Sequence, residues 1–133
     1  HMVERQQAGR VKSSDAVERH RVATGKTTEM QVLIGPDDGA PHFSMRRFIM
    51  GAGGGMPRHT NQVEHQQYVL AGRARIGIAD RQVEVEAGDV VYIPARVPHQ
   101  YEVLEAPFEF LCVVPNLADE VRLVETPEQD STE

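Results

Sequence analysis

Four side chains between positions 59 and 99 have the types and the spacing of a metal site: His59, Asn61, His65 and His99. Residues two apart in a strand project to the same face, so His59 and Asn61 share a face, and His65 keeps their parity. Imidazole nitrogens bind manganese, iron, cobalt, nickel, copper and zinc ions, whereas magnesium and calcium prefer oxygen ligands. The pattern predicts one divalent transition-metal ion held by His59, His65 and His99. Asn61 is then a weak fourth ligand, a hydrogen-bond partner of bound water, or the neighbour of an open position.

Three neutral imidazoles would leave such an ion with its full charge and with open coordination positions. An ion of this kind can bind an anionic substrate oxygen, activate water, or bind dioxygen if it is redox-active. A non-redox reaction would also need a general base near the ion, and the residues around the four candidates supply no carboxylate in a suitable position.

Short strands separated by turns must position these residues, because glycines and prolines bracket them at Gly53–Gly55, Gly72, Gly88 and Pro94. Apolar and alternating runs predict strands over residues 31–34, 42–50, 65–71, 73–79, 82–86, 90–93, 98–104 and 108–114. We expect residues 51–55 to end a strand, and the one helical candidate covers residues 15–23. Many short strands with almost no helix predict an all-β sandwich or barrel.

The chain has 133 residues, enough for one domain, and a formal net charge of −6. The acidic balance argues against a nucleic-acid partner, and no apolar run is long enough to span a membrane. The single cysteine, Cys112, excludes an intrachain disulfide and favours the cytoplasm.

We expect three parts along the chain. Residues 1–29 form an N-terminal arm, which we expect to pack across a partner subunit, and His1-Met2 has the form of a tag remnant. Residues 30–116 form the barrel. Residues 117–133 form an acidic tail with a frayed end.

Two blocks of the sequence resemble the two motifs of the cupin superfamily. The first block contains Gly53, His59, Asn61, His65 and Gly72, and the second contains Gly88, Pro94 and His99. Residues 32–35, 43–48, 69–72 and 110–115 resemble small single-domain bacterial cupins, which include a manganese-binding, four-histidine cupin of Thermotoga. The resemblance extends over about residues 30 to 115.

The chain departs from the usual cupin pattern at four positions. Asn61 replaces the second histidine of the first motif, and His65 takes the place of its glutamate. In the second motif, Arg96 replaces a glycine and Val103 an asparagine. The resemblance implies an all-β, single-domain jelly-roll barrel, manganese or iron as the favoured metal, and a homodimer. The asparagine makes the site similar to the three-histidine sites of cupin thiol and diketone dioxygenases.

Strand parity assigns further residues to the pocket. Tyr101 shares the parity of His99, and Gln67 shares that of His65. We expect Tyr101 and Phe110 to shape an apolar pocket, Cys112 to face the interior near the metal, and Arg46 to steer an anionic substrate.

The favoured hypothesis is a metal-dependent oxygenase or oxidase that acts on a small organic molecule with dioxygen. Two alternatives stay open: a non-redox metal-dependent isomerase, lyase or hydrolase, and a small-molecule-binding protein without turnover.

Overall fold

A computed structural model describes residues 9–125, and strands make up most of that part of the chain. The strands are β1 (His20–Arg21), β2 (Lys26–Ile34), β3 (Phe43–Thr60), β4 (His65–Ile78), β5 (Arg81–Glu86), β6 (Val90–Ile93), β7 (His99–Pro115) and β8 (Arg122–Leu123). Two short 3₁₀ turns, Ser14–Ala16 and Pro36–Asp38, are the helical segments within these residues. The all-β fold class is confirmed.

The strands form one antiparallel sheet in the order β1-β2-β3-β7-β4-β5, with β6 paired to β4 and β8 paired to β3. The long strands β3, β7 and β4 lie at its centre, and their pairings contain several register shifts. Bulges of this kind bend a strand and increase its twist. The bent sheet surrounds one apolar core, to which Met50, Val69, Ile76, Ile93, Phe108 and Phe110 belong.

Alternation along β4 selects the side chains that face the interior. His65, Gln67 and Val69 are buried, whereas the alternating residues Gln66, Tyr68 and Leu70 are exposed. Successive residues of a strand point to opposite faces, so residues two apart share a face. His65 and Gln67 therefore both lie on the inner wall of the barrel.

The strands are longer than predicted, and the expected break at residues 51–55 is wrong. β3 continues through this segment to Thr60, with the shift in its pairing to β7 falling between Met50 and Gly55. β4 likewise continues through Gly72, whose φ is +77°. A Cβ at Gly72 would lie 2.2 Å from the Pro107 carbonyl oxygen. These glycines permit close backbone contact inside continuous strands rather than ending them.

Both ends of the described chain pack against the barrel. The helix predicted over residues 15–23 is wrong, because only Ser14–Ala16 form a turn and His20 pairs with Met30 as part of a strand. Strands of the sheet thus begin within the segment assigned to the arm, with β1 at His20 and the long strand β2 at Lys26. In the tail, Arg122–Leu123 pair with the end of β3. The expected tag remnant and the frayed end, residues 126–133, lie outside the described residues.

Within residues 9–125, no helix combines the length and the apolar character that a membrane span requires.

The close approach of β3 to β7 predicts a large effect of Gly55→Ala. The φ of Gly55 is +149°, and its added Cβ would lie 2.1 Å from the Tyr101 carbonyl oxygen. We expect the free energy of unfolding in urea to fall by about 2–4 kcal/mol, since overpacking and backbone strain add. Gly53→Ala is the matched control: its φ is +71° but nothing lies within 4 Å of the added Cβ, so it should lose only about 1 kcal/mol. Equal losses in the two variants would contradict the steric explanation.

Candidate metal centre

A cavity of about 140 Å³ opens into the barrel and contains all four candidate metal-site residues. Its polar lining consists of His59, Asn61, His65, Gln67, His99, Tyr101, Arg46, Asp119 and Thr24. Its apolar lining consists of Val22, Met30, Phe48, Met50, Met56, Phe110 and Val121. Pockets for small molecules usually have this composition, with a few polar groups set in apolar walls.

Three elements bring the histidines together. His59 lies near the end of β3 and His99 begins β7, and the register makes the two residues direct partners. Their ring centroids are 4.2 Å apart, and the His65 ring, at the start of β4, lies 5.8 Å from that of His99. The three side chains are buried, with exposed fractions of 6% or less. Asn61 follows the last residue of β3 and is also buried.

Backbone carbonyls fix the tautomer of two of the rings. His59 Nδ1 lies 2.8 Å from the Pro57 carbonyl oxygen, and His99 Nδ1 lies 2.9 Å from that of Val97. A carbonyl oxygen only accepts, so each Nδ1 must carry the proton and donate it. Each Nε2 therefore keeps its lone pair for a ligand, as in histidines that bind metals.

Two further polar atoms of the cluster are buried without a protein partner: His65 Nε2 and Asn61 Oδ1. Buried polar atoms are nearly always hydrogen-bonded, so these atoms indicate a ligand that the protein itself does not supply. A divalent transition ion fits this donor set of three neutral imidazoles and one amide oxygen. Among the described residues, however, no three His, Cys, Asp or Glu side chains already form a complete metal-binding group.

Burial keeps the three imidazoles neutral. It lowers the pKa of His65 to about 3, and the nearby positive charge of Arg46 acts in the same direction. Burial, assisted by His59, lowers the pKa of His99 to about 4, and it also lowers the pKa of His59 below its usual value. Neutral imidazole is the form that binds metal ions, so the site does not have to lose protons near neutral pH.

Asp119, which sequence reasoning missed, lies at the cavity opening. Its Oδ2 accepts a hydrogen bond from Asn61 Nδ2 at 2.9 Å, and its Oδ1 accepts one from the Gln62 N–H at 2.6 Å. Burial raises the pKa of Asp119, but these bonds and one from the Glu120 N–H outweigh it, so the pKa lies below its usual value. Asp119 belongs to the segment that we assigned to the tail, and no local pattern shows that this segment returns to the barrel.

The other predicted site residues surround the cluster. Arg46, Tyr101 and Phe110 line the cavity. Cys112 is fully buried, with its Sγ 3.4 Å from His65 Nδ1. Gln67 Nε2 donates to Tyr101 Oη at 2.6 Å, and burial raises the pKa of Tyr101 above its usual range, so the phenol stays protonated.

The buried imidazoles predict acid lability of the chelator-treated protein. A histidine whose pKa is lowered by folding binds fewer protons in the folded state, so stability is present above about pH 6.5 and is lost as the pH falls toward the folded pKa. One pKa unit corresponds to about 1.4 kcal/mol. We therefore expect the free energy of unfolding to fall by on the order of 6 kcal/mol between about pH 7 and about pH 4, about half of it from His65 and half from His99, measured by urea denaturation.

His99→Asn should lose less stability between about pH 7 and about pH 4, because it removes one of the buried histidines whose pKa is lowered. His42→Asn, which changes an exposed histidine outside the cavity, should behave as the wild type. A pH dependence that is identical in His99→Asn and the wild type would contradict the assignment.

Comparison with known proteins identifies the family. Residues 46–114 match the family model described as the cupin domain, Cupin_2. The polyketide cyclase RemF from Streptomyces resistomycificus is 30% identical and superposes with a TM-score of 0.82, over 90% of this chain and 88% of that one.

Two further matches show less, because one has a lower identity and the other covers a short segment. A predicted oxalate decarboxylase from Thermotoga maritima, 23% identical, superposes with a TM-score of 0.71 over 81% of this chain and 100% of that one, and it supports the fold alone. An uncharacterised protein of Methanocaldococcus jannaschii is 36% identical over 50 residues, which are 37% of this chain and 40% of that protein. The chain thus matches less than half the length of that curated relative. The family indicated by the two sequence motifs is confirmed, and the chain belongs to the cupin family.

Proposed function

We propose that this cupin is a metal-dependent enzyme that carries out non-oxidative chemistry on a small carbonyl compound, with ring closure of a β-polyketone as the favoured reaction. The observation that carries this proposal is the Asp119 carboxylate at the opening of the histidine-lined cavity. Carbonyl condensation needs a base, and Asp119 is the carboxylate among the lining residues. The 30% sequence identity to a polyketide cyclase, over 90% of this chain, supports the same class of reaction, ring closure of a polyketone.

His59, His65 and His99 would hold the ion through their Nε2 atoms, with Asn61 Oδ1 beside them. A bound divalent ion would supply Lewis-acid polarisation of a carbonyl oxygen. This role does not require redox activity, so zinc would serve as well as the manganese or iron that the family resemblance suggests.

Asp119 would act as the general base. Its low pKa leaves it ionised at neutral pH, and its hydrogen bonds to Asn61 and Gln62 hold it in position. It would take a proton from a carbon next to a carbonyl group, and that carbon would then form a bond to the carbonyl carbon five positions further along the same molecule, which closes a six-membered ring. Asp119 would return the proton to the alkoxide oxygen that this bond creates. Loss of the resulting hydroxyl as water, with enolisation of the remaining carbonyls, would then give the aromatic ring.

Tyr101 and Phe110 would shape the substrate. Because Gln67 Nε2 donates to Tyr101 Oη, the phenolic proton of Tyr101 is available to a substrate oxygen. The rings of Tyr101 and Phe110 stack with centroids 5.4 Å apart and form a flat apolar wall. Such walls limit the access of water to a reacting enolate.

A second candidate is the oxidation of a small organic molecule with dioxygen. The absence of a carboxylate from the proposed donor set favours it, because three neutral imidazoles leave the full charge of a redox-active ion and its open positions to substrate and dioxygen. In that case Asp119 would not be needed as a base. The two reactions differ in their requirement for dioxygen.

A short synthetic linear β-triketone, which closes to a dihydroxytoluene with loss of one water, tests the proposal. We expect the metal-loaded protein to form the ring product under nitrogen. Asp119→Asn should lower kcat by on the order of 100-fold, the usual effect of losing a general base. Glu120→Gln is the control, since it makes the same charge change at an exposed neighbour.

Three outcomes would overturn the cyclase assignment. Turnover that requires and consumes dioxygen would support the oxygenase. Binding of the triketone without any metal-dependent product would support a binding protein. Undiminished kcat in Asp119→Asn would remove the proposed base.

A further inference from the structure

Arg46 is a cation that lines the cavity, and no carboxylate of residues 9–125 pairs with it. None of the ion pairs among residues 9–125 includes it, and its Nε is buried without a hydrogen-bond partner. The next residue, Arg47, instead pairs with Glu109, with Nη2 2.5 Å from Oε1. Desolvating a cation is costly unless an anion or hydrogen-bond acceptors compensate it.

We propose that Arg46 binds the carboxylate of a planar, conjugated organic acid whose flat face lies on the aromatic wall of the cavity. This inference rests on the proposed function in that the same cavity is taken to be the substrate site. It adds a carboxylate to the ligand, so that ring closure of a β-polyketone carrying this group would form a planar aromatic acid, and it assigns recognition of the carboxylate to one residue.

The contacts of the guanidinium leave its donors available. Arg46 lies on β3 opposite Cys112 on β7, and its Nη2 is 3.5 Å from the Cys112 Sγ. Cys112 is fully buried, and a thiol sulfur is only a weak hydrogen-bond acceptor, so this contact does not replace an anion. A guanidinium presents several N–H donors in a planar fork, which matches the two oxygens of a carboxylate.

Asp119 is the carboxylate among the described residues that line the cavity, and it is hydrogen-bonded to groups other than Arg46. Its two oxygens accept from Asn61, Gln62 and Glu120. Among residues 9–125, no carboxylate is therefore free to compensate Arg46, which favours an anionic ligand.

The shape of the wall selects a flat ligand. The rings of Phe48 and Phe110 stack at 5.1 Å, and those of Phe110 and Tyr101 stack at 5.4 Å, both nearly parallel. The Arg46 Cζ lies 5.1 Å from the centroid of Phe48 and so adjoins this series of rings. A conjugated ring laid against the wall would present its carboxylate to the fork. The volume of about 140 Å³ has room for a molecule of about one ring.

Calorimetric titration with benzoate and with the neutral benzamide tests this assignment. We expect the wild type to bind benzoate at least about tenfold more tightly than benzamide, since only benzoate pairs with the guanidinium. Arg46→Gln should weaken benzoate binding by about 10- to 100-fold and leave benzamide binding unchanged. Arg46→Lys, which keeps the charge but loses the fork, should fall between them. Arg75→Gln, at an exposed arginine paired with Glu102, is the control of equal charge change and should bind as the wild type.

Chelator-treated protein separates this inference from the proposed metal chemistry. Preference for benzoate that persists without metal and disappears in Arg46→Gln would support the arginine site even if no cyclase activity is found. Loss of the preference for benzoate over benzamide on chelation would overturn the arginine site. The same preference in the wild type and in Arg46→Gln, at matched melting temperature, would also overturn it. Metal content of Arg46→Gln should equal that of the wild type.

Discussion

The imidazoles of His59, His65 and His99 are buried inside a sheet whose other interior residues are mainly apolar. A buried donor or acceptor without a partner costs about 1–3 kcal/mol, and His65 Nε2 and Asn61 Oδ1 have none in the protein. The fold tolerates this cost because the three strands that carry the histidines are long and central, with β3 and β4 both paired to β7. Carbonyls at Pro57 and Val97 also orient two of the rings, so the polar cluster is preorganised to bind a ligand.

The two charged residues that line the cavity, Asp119 and Arg46, have different proposed roles: Asp119 acts as a base and Arg46 binds a carboxylate. Asp119 lies at the opening and is held by three N–H donors, whereas Arg46 lies beside Cys112 and the aromatic wall. The histidine cluster lines the same cavity as both. Such an arrangement suits a substrate with a carboxylate at one end and an acidic C–H group at the other. Pockets in which charged groups have clearly different surroundings are typical of acid–base sites.

Much of the inner wall follows from local sequence pattern. Alternation along β4 predicts that Gln67 rather than Tyr68 shares a face with His65, and the structure places Gln67 in the cavity and Tyr68 outside. The meeting of His59 with His99 depends on pairing across 40 positions, which two hairpins permit but which no local pattern requires. The glycines at 51–55 predict a break, yet they allow β3 to bend and continue, because backbone freedom is compatible with either outcome. Asp119, Val22 and Val121 reach the cavity through the returning arm and tail, and only tertiary packing places them there.

Metal content measured by mass spectrometry tests the central claim most directly, on protein purified without chelator or nickel resin. The account predicts close to one divalent transition ion per chain in the wild type. The ion should be lost in His65→Ala and in His99→Ala, and it should be retained in His42→Ala, which removes an exposed histidine. A wild type that holds no ion even after reconstitution, or one whose ion survives both cavity variants, would contradict the proposed site.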